Sequence, residues 1–215
     1  MTAQTLLAID TATPACSVAL KQGGKVIHET VLEARKHTEV LLPMCDRLLT
    51  QSGAKVEGII LSAGPGAFTG LRVGASVALG LATAWNAPIL PISSLALLAA
   101  SAANDDAATV LALLDARMHA VYAGLYRVDA SGVATLAPDR LCAPDAIPAD
   151  WYTQADIIAG SGLVYAQSAF AQVPRAMPDM LPDARHAFLP MHHAVWQSAC
   201  EPLDLFYLRN DITQS

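Results

Sequence analysis

The chain opens on Thr5-Leu6-Leu7-Ala8-Ile9, a short unbroken apolar segment that reads as a buried strand. Cys16 to Leu20 and Val26 to Val31 read as two more strands, and Lys21-Gln22-Gly23-Gly24 supplies the hairpin turn between them. The period then changes. Leu41, Leu42, Cys45, Leu48 and Leu49 recur at helical spacing, which predicts a helix over Thr38 to Ser52 with Gly53 as its C-terminal cap. Pro43 falls about one turn inside it, so a later start or a distorted first turn is expected. Gly58 to Ser62 returns to strand, Gly70 to Trp85 is helical, and Pro88 to Ile92 is a short strand. Ser93 or Ser94 can cap a further helix to about Ala103. The polar Asn104-Asp105-Asp106 marks a lobe boundary, dividing the chain into residues 1–104 and 105–215. Beyond it, Val110 to Leu114 and Ala120 to Val128 read as strands of a second sheet, and Asp129-Ala130-Ser131-Gly132 as a hairpin turn. Ala171 to Pro190 holds four prolines and no clean period, so it reads as loop. No internal repeat shows in the residues. Strands lead and helices follow in each half, which predicts two α/β lobes.

Composition narrows the function more than the fold. Of 215 residues, 53% are hydrophobic and 15% charged, enough for a large core with apolar surface to spare for a partner. The net charge of −6, with no basic run, argues against this chain holding nucleic acid by itself. The four cysteines, Cys16, Cys45, Cys142 and Cys200, form no CxxC pair and read as buried free thiols in a reducing cytosol. The N-terminus has no basic region of a signal peptide, and the apolar stretch from Ile89 to Ala103 is interrupted by Pro91, Ser93 and Ser94. A cytoplasmic protein with no membrane span is therefore expected.

Two loops invite chemistry. Gly64-Pro65-Gly66-Ala67-Phe68-Thr69-Gly70-Leu71-Arg72-Val73-Gly74 joins a strand to a helix, an arrangement that can present backbone N–H groups to an anion. It nevertheless meets neither phosphate-binding pattern. Leu71 and Arg72 stand where a P-loop needs Lys and a hydroxyl, and the third glycine of a dinucleotide fingerprint comes one residue late. A helix N-terminus alone contributes roughly 0.3–1 kcal/mol toward an anion, so tight-turn or packing duty outranks ligand anchoring. Asp10-Thr11-Ala12-Thr13, at a strand end, fits either a phosphate and magnesium contact of the kind found in actin-like and sugar-kinase-like folds or an Asx and hydroxyl turn closing a hairpin. The six histidines supply neither HxxxH nor HExxH. His37 and Glu39 sit near a helix start, where capping and exposure outrank catalysis. Asp115-Ala116-Arg117 follows a buried strand and could orient a loop or line a cleft. The helix from Gly70 carries Gly74, Ala75, Ser76, Ala78, Gly80, Ala82 and Ala84, small residues that admit close packing on its own sheet or on another subunit.

These segments resemble the TsaB family, the bacterial subunits of the machinery that makes threonylcarbamoyladenosine in tRNA. The likeness runs through Leu7 to Thr13, Cys16 to Leu20, His37-Thr38-Glu39 with Leu41-Leu42-Pro43, Gly64 to Gly74, Asp115-Ala116-Arg117-Met118 with Val121-Tyr122, and Tyr207-Leu208-Arg209. Ala12 and Ala67 stand where serine is usual, and Ala120 where glutamate is common. The resemblance implies a two-lobed actin/sugar-kinase/Hsp70-like fold and a non-catalytic scaffold and dimerisation subunit. Its partners would be the catalytic subunit TsaD and the ATPase TsaE, with self-dimerisation when alone and tRNA met through the complex. It implies no catalytic residue and no metal ligand here. A vestigial nucleotide site is expected at Asp10, Thr11, Thr13, Gly64, Gly66, Thr69 and Arg72, with a weakly held adenine nucleotide left open. The partner interface is expected on the two early helices, at Leu41, Met44, Cys45, Leu48, Leu71 and Val73. An ATP-binding phosphotransferase using Asp10 is the first rival, and a glycoprotease-like peptidase the last.

Overall fold

The computed structural model describes residues 4–33, 36–53, 55–104, 106–165, 173–192 and 194–208; Asp105, His193 and Arg209 lie outside them. Strands β1 (Thr5–Asp10), β2 (Ala15–Gln22), β3 (Lys25–Leu32), β4 (Gly58–Ser62) and β5 (Ile89–Ile92) form one sheet in the order β3-β2-β1-β4-β5. β1 is antiparallel to β2 and parallel to β4. Strands β6 (Ala108–Arg117), β7 (Ala120–Asp129), β8 (Gly132–Cys142), β9 (Ile157–Ala159) and β10 (Arg175–Met177) form a second, in the order β10-β9-β6-β7-β8. There β6 is antiparallel to β7 and parallel to β9. The two sheets thus repeat one topology: an antiparallel meander whose first strand is central and carries two parallel strands on its other side. The residues showed no repeat because pairing order is set by chain path and leaves no periodic trace in side-chain identity.

Helices α1 (His37–Ser52) and α2 (Phe68–Trp85) cover one face of the first sheet. Helix α3 (Ser94–Ala103) is buried along all ten residues. Its Leu97 joins Ala8, Ala19 and Ile60 of the first sheet, and Leu95, Leu98 and Ala102 join Val110, Ala112 and Tyr126 of the second. A helix apolar all round is one packed on every side, and α3 is the wedge between the sheets. A short helix α4 (Ala149–Gln154) packs Trp151 on the far face of the second sheet.

Ser93 begins α3 as expected, its Oγ accepting from the Leu95 and Ala96 N–H groups at 3.1 and 3.3 Å. The same hydroxyl donates to Asp139 Oδ2 at 2.5 Å, and Tyr126 donates to Asp139 Oδ1. Burial pushes the Asp139 carboxyl up from its ordinary value against these two donors, and burial also raises the Tyr126 phenol. Gly124 lies opposite, where a Cβ would stand 2.6 Å from Asp139 Oδ1, so the strand leaves room for the carboxylate.

The region from Ala171 to Pro190 is not all loop. β10 and a 3-10 turn over Ala184–Phe188 lie within it. The chain then returns to the first sheet. The Ala184 N–H donates to Ser17 Oγ at 3.0 Å, Gln197 pairs with Ile89, and the Phe206 N–H donates to Ala63 O at 2.8 Å. The Trp196 ring lies over Gly58, 2.8 Å from where a Cβ would stand.

Several expectations are corrected. α1 starts at His37 despite Pro43, because Lys36 O accepts from both Glu39 and Val40 N–H and closes the first turn ahead of the proline. His37 is buried rather than exposed. Its Nε2 faces Thr13 O at 3.0 Å and Ala15 O at 3.2 Å, two acceptors, so it donates and ties the β1–β2 loop to the helix. Cys16 and Cys45 are buried and burial pushes both thiols up to about 12, but Cys142 is half-buried and Cys200 exposed.

Candidate functional site

A cleft of about 940 Å³ opens between the lobes. The loop after β1, the starts of α1 and α2, the β6–β7 turn and the returning C-terminal segment line it. Its walls are largely apolar, with Phe68, Leu71, Leu114, Tyr122, Leu181 and Phe206 among them. Of the expected nucleotide residues, Thr13, Gly66 and Thr69 line this cleft. Asp10, Thr11 and Gly64 are buried behind it, and Arg72 is exposed beside it.

The glycine loop is positioned by backbone packing. A Cβ on Gly66 would collide with Ala12 O, one on Gly70 with Thr11 O, and one on Gly74 with the Thr11 hydroxyl, each well inside van der Waals contact. Thr11 Oγ1 donates to Gly70 O at 2.8 Å, and the Ala67 N–H to Ala12 O at 2.7 Å. The β1–β2 loop and the start of α2 are therefore one packed unit, and the glycines are what let it close. Both local turn readings also hold: Ala12 N–H donates to Asp10 Oδ1, and Ala15 N–H to Thr13 Oγ1, each at 3.3 Å.

Asp10 itself has no exposed surface, and its Oδ2 has no hydrogen-bond partner. Burial pushes its carboxyl up to about 7, opposed by the Ser62 side chain and the Ala12 N–H and aided by the like charge of Asp183. At the rim, the Arg72 guanidinium lies 3.7 Å over the Phe68 ring, and its Nε donates to the Tyr207 hydroxyl at 3.5 Å. The Phe68 and Tyr207 rings are 5.6 Å apart.

α2 begins without a side-chain cap, because its N-cap residue is Ala67 at φ −66° and ψ 117°. That backbone suits a serine, whose Oγ would accept an N–H of the first turn. Ala67→Ser is expected to raise stability by about 1 kcal/mol, read as a higher midpoint in chemical denaturation with an unchanged slope.

Across the cleft, Asp115 stands in the second sheet where Asp10 stands in the first, near the end of the central strand. Here the carboxylate is accessible and busy. Asp115 Oδ1 accepts from the Arg117 N–H at 2.7 Å and the Tyr165 hydroxyl at 3.3 Å, and Oδ2 pairs with Arg117 Nη1 at 3.2 Å. Arg117, Met118 and His119 all have left-handed backbones, at φ 64°, 54° and 54°. Each such residue costs on the order of 1–2 kcal/mol without glycine. The triplet gives no sequence signal for a turn, because none of its residues is a turn former.

The interface residues expected on the helices are corrected by their burial. Leu41, Met44, Cys45 and Leu48 are all 5% exposed or less, inside the core under the first sheet, Leu71 is 1% exposed behind the cleft wall, and Val73 is half-buried. The helical repeat that made them conspicuous is the core-facing stripe. The outward side chains are Leu42 and Phe68, 52% and 41% exposed, with Ser76, Gly80 and Thr83 further along α2. The small residues of α2 divide: Gly74, Ala75, Ala78 and Ala82 face the sheet, whereas nothing lies within 4 Å of a Cβ on Gly80. Among the described residues no cluster of three His, Cys, Asp or Glu side chains could hold a metal, and no helix is long and apolar enough to cross a membrane.

A family model described as TsaD, tRNA N6-adenosine threonylcarbamoyltransferase, matches residues 21–196. The tRNA threonylcarbamoyladenosine biosynthesis protein TsaB of Escherichia coli is 37% identical over 96% of this chain and 95% of its own length. The Haemophilus influenzae protein of the same name is 47% identical over 55% of this chain, and that match spans about half (52%) of its own length. YeaZ from Pseudomonas aeruginosa superposes with a TM-score of 0.78 at 36% identity, covering 86% of this chain and 88% of that one. A second Pseudomonas aeruginosa structure, described as similar to peptidase YEAZ, reaches 0.83 at 34% identity over 96% of this chain and all of its own. The fold is the two-lobed actin/sugar-kinase/Hsp70-like α/β fold, and the chain belongs to the TsaB family, within the wider family that the TsaD model describes.

Proposed function

We propose that this chain is the non-catalytic subunit of the complex that transfers a threonylcarbamoyl group to the tRNA adenosine beside the anticodon, acting in the cytoplasm. The single observation that carries the reading is the sealed Asp10. Acid–base or metal chemistry in the cleft needs an uncommitted carboxylate that reaches it. Asp10, at the end of β1, lies beneath a loop closed by backbone packing, and Asp115, which does line the cleft, is engaged by the Arg117 N–H and guanidinium and by the Tyr165 hydroxyl. The family names supply the pathway. In this reading the chain supports TsaD, which performs the transfer; TsaE completes the assembly, and tRNA is held by the complex. Residues 1–104 and 105–215 are its two lobes. The same residues Asp10, Thr11, Thr13, Gly64, Gly66, Thr69 and Arg72 are the remnant of a nucleotide site, which holds an adenine nucleotide weakly or not at all.

The partner meets the outer face of α1 and α2, with Leu42 and Phe68 as its apolar anchors and open Gly80 admitting a helix backbone. Without TsaD the same face pairs with a second copy. The exposed charges of the two helices are Glu39, Asp46 and Arg47 on α1 and Arg72 on α2, so Leu42 and Phe68 would be the apolar anchors of a contact with a charged rim. Reconstitution with purified subunits tests this. Modification is expected to vanish when this chain is omitted, and the chain alone is expected to give none. Leu42→Asp is expected to leave the melting temperature within about 2 °C, as for an exposed site, and to abolish co-elution with TsaD. Full modification without this chain, or Leu42→Asp co-eluting as the wild type does, overturns the reading.

A further inference from the structure

Positive φ angles occur at ten described positions: Gly23, Gly53, Gly64, Gly132 and Gly160, Asn86 and Asn104, and then Arg117, Met118 and His119. Everywhere else the chain uses glycine or asparagine, the residues that adopt this conformation most cheaply. At the β6–β7 turn it places three long side chains in succession. An Asn-Gly turn would close this hairpin at less cost, so folding alone does not account for the choice.

The turn is also held stiff. Asp115 accepts from the Arg117 N–H and pairs with its guanidinium, the Asp115 N–H donates to Ser161 Oγ at 3.1 Å, and His119 packs edge-on against Tyr165 at 5.1 Å. From this base Met118 projects with 85% of its surface exposed, the most exposed of the large apolar side chains among the described residues. Arg117 lines the same cleft rim as Thr38, Phe68, Thr69 and Tyr207, where α1 and α2 begin.

We propose that Arg117-Met118-His119 is a preformed anchor that docks into the catalytic partner subunit, beside the contact made by α1 and α2; this rests on the function proposed above. The site it fits is an apolar pocket for the Met118 thioether with hydrogen-bond acceptors at its edge for Arg117 and His119. A stiff exposed tip binds without the ordering cost a flexible one carries, and methionine adapts well to an apolar pocket. The chemistry favours a protein over RNA. The central side chain is apolar, the Arg117 charge is already balanced by Asp115, and the whole chain carries −6.

The test replaces the side chains but keeps the backbone. The triple variant Arg117→Asn, Met118→Gly, His119→Gly is expected to melt at or above the wild-type temperature, since its residues suit left-handed φ. Its affinity for purified TsaD is expected to fall at least tenfold by calorimetry, and Met118→Asp alone is expected to produce most of that loss. Triple-variant affinity within twofold of wild type overturns the anchor, as does a melting point several degrees lower, which would make the side chains structural. Loss of tRNA binding by the complex assembled with the variant, with its TsaD affinity unchanged, overturns it in favour of an RNA contact. A wild-type chain that does not bind TsaD at all instead overturns the underlying reading, and the anchor with it.

Discussion

Gly70→Ala is expected to destabilise the fold by about 3 kcal/mol, while Gly80→Ala in the same helix is expected to stabilise it by about 0.5–1 kcal/mol. The two glycines share a helix and nothing else. At Gly70 an added methyl falls on the Thr11 carbonyl oxygen, a backbone atom that no rotamer change can move. Relief requires α2 to part from the β1–β2 loop, which stretches the Thr11 Oγ1 bond to Gly70 O and the Ala67 N–H bond to Ala12 O together. At Gly80 a methyl meets nothing within 4 Å, so the variant gains helix propensity alone. In a chain of this size 1 kcal/mol moves the melting temperature by about 2–4 °C. Gly70→Ala should therefore melt about 6–12 °C lower, and Gly80→Ala slightly higher. Equal shifts for the two, in either direction, would mean that the glycines serve helix flexibility and that the close approach to Thr11 is not what selects them.

That contrast also shows what the residues disclosed and what they hid. The glycine stretch was conspicuous, and its failure to match a phosphate loop pointed to packing. That the partner surface was the Thr11 and Ala12 backbone could not be read, because it depends on β1 and β4 being neighbours. Strands and caps were legible where local chemistry decides them, as at Gly53 and Ser93. The apolar residues of α1 that stand out by period are buried for a definite reason: the period marks the core stripe, and the outward Leu42 falls off it. The described residues of the returning segment, 184–192 and 194–208, have little regular structure, so periodicity had nothing to detect, yet they supply Phe206 and Tyr207 to the cleft. Asp139 was invisible for another reason. It is a single acid in a strand, and its partners are Tyr126 on the neighbouring strand and Ser93, which lies 46 residues away in the chain.

Asp10→Asn is expected to abolish a pH dependence of stability worth about 4 kcal/mol at most. Burial pushes the carboxyl up to about 7 in the folded chain against 3.8 for an ordinary aspartate, and at roughly 1.4 kcal/mol per tenfold in proton affinity that gap sets the size of the effect. The sign follows from which state holds the proton. Below about pH 4 both states hold it and Asp10 costs nothing. Between 4 and 7 the unfolded chain releases it while the folded chain keeps it, so stability falls as pH rises. Above 7 the folded chain carries a buried carboxylate, with Asp183 the nearby like charge and Oδ2 unpartnered, and the full loss is reached. Asparagine keeps the shape and the acceptor for the Ala12 N–H but has no proton to lose. Denaturation of the two proteins from pH 4.5 to 8 should give curves that diverge with rising pH, the variant becoming the more stable above neutrality. The same variant should still support tRNA modification in the reconstituted complex, because a carboxylate with no exposed surface has no reacting atom to touch. Parallel pH curves would mean that Asp10 is solvated and charged in the working protein. Loss of modification by a stable variant would make it a catalytic group after all, and would return the cleft to the phosphotransferase reading.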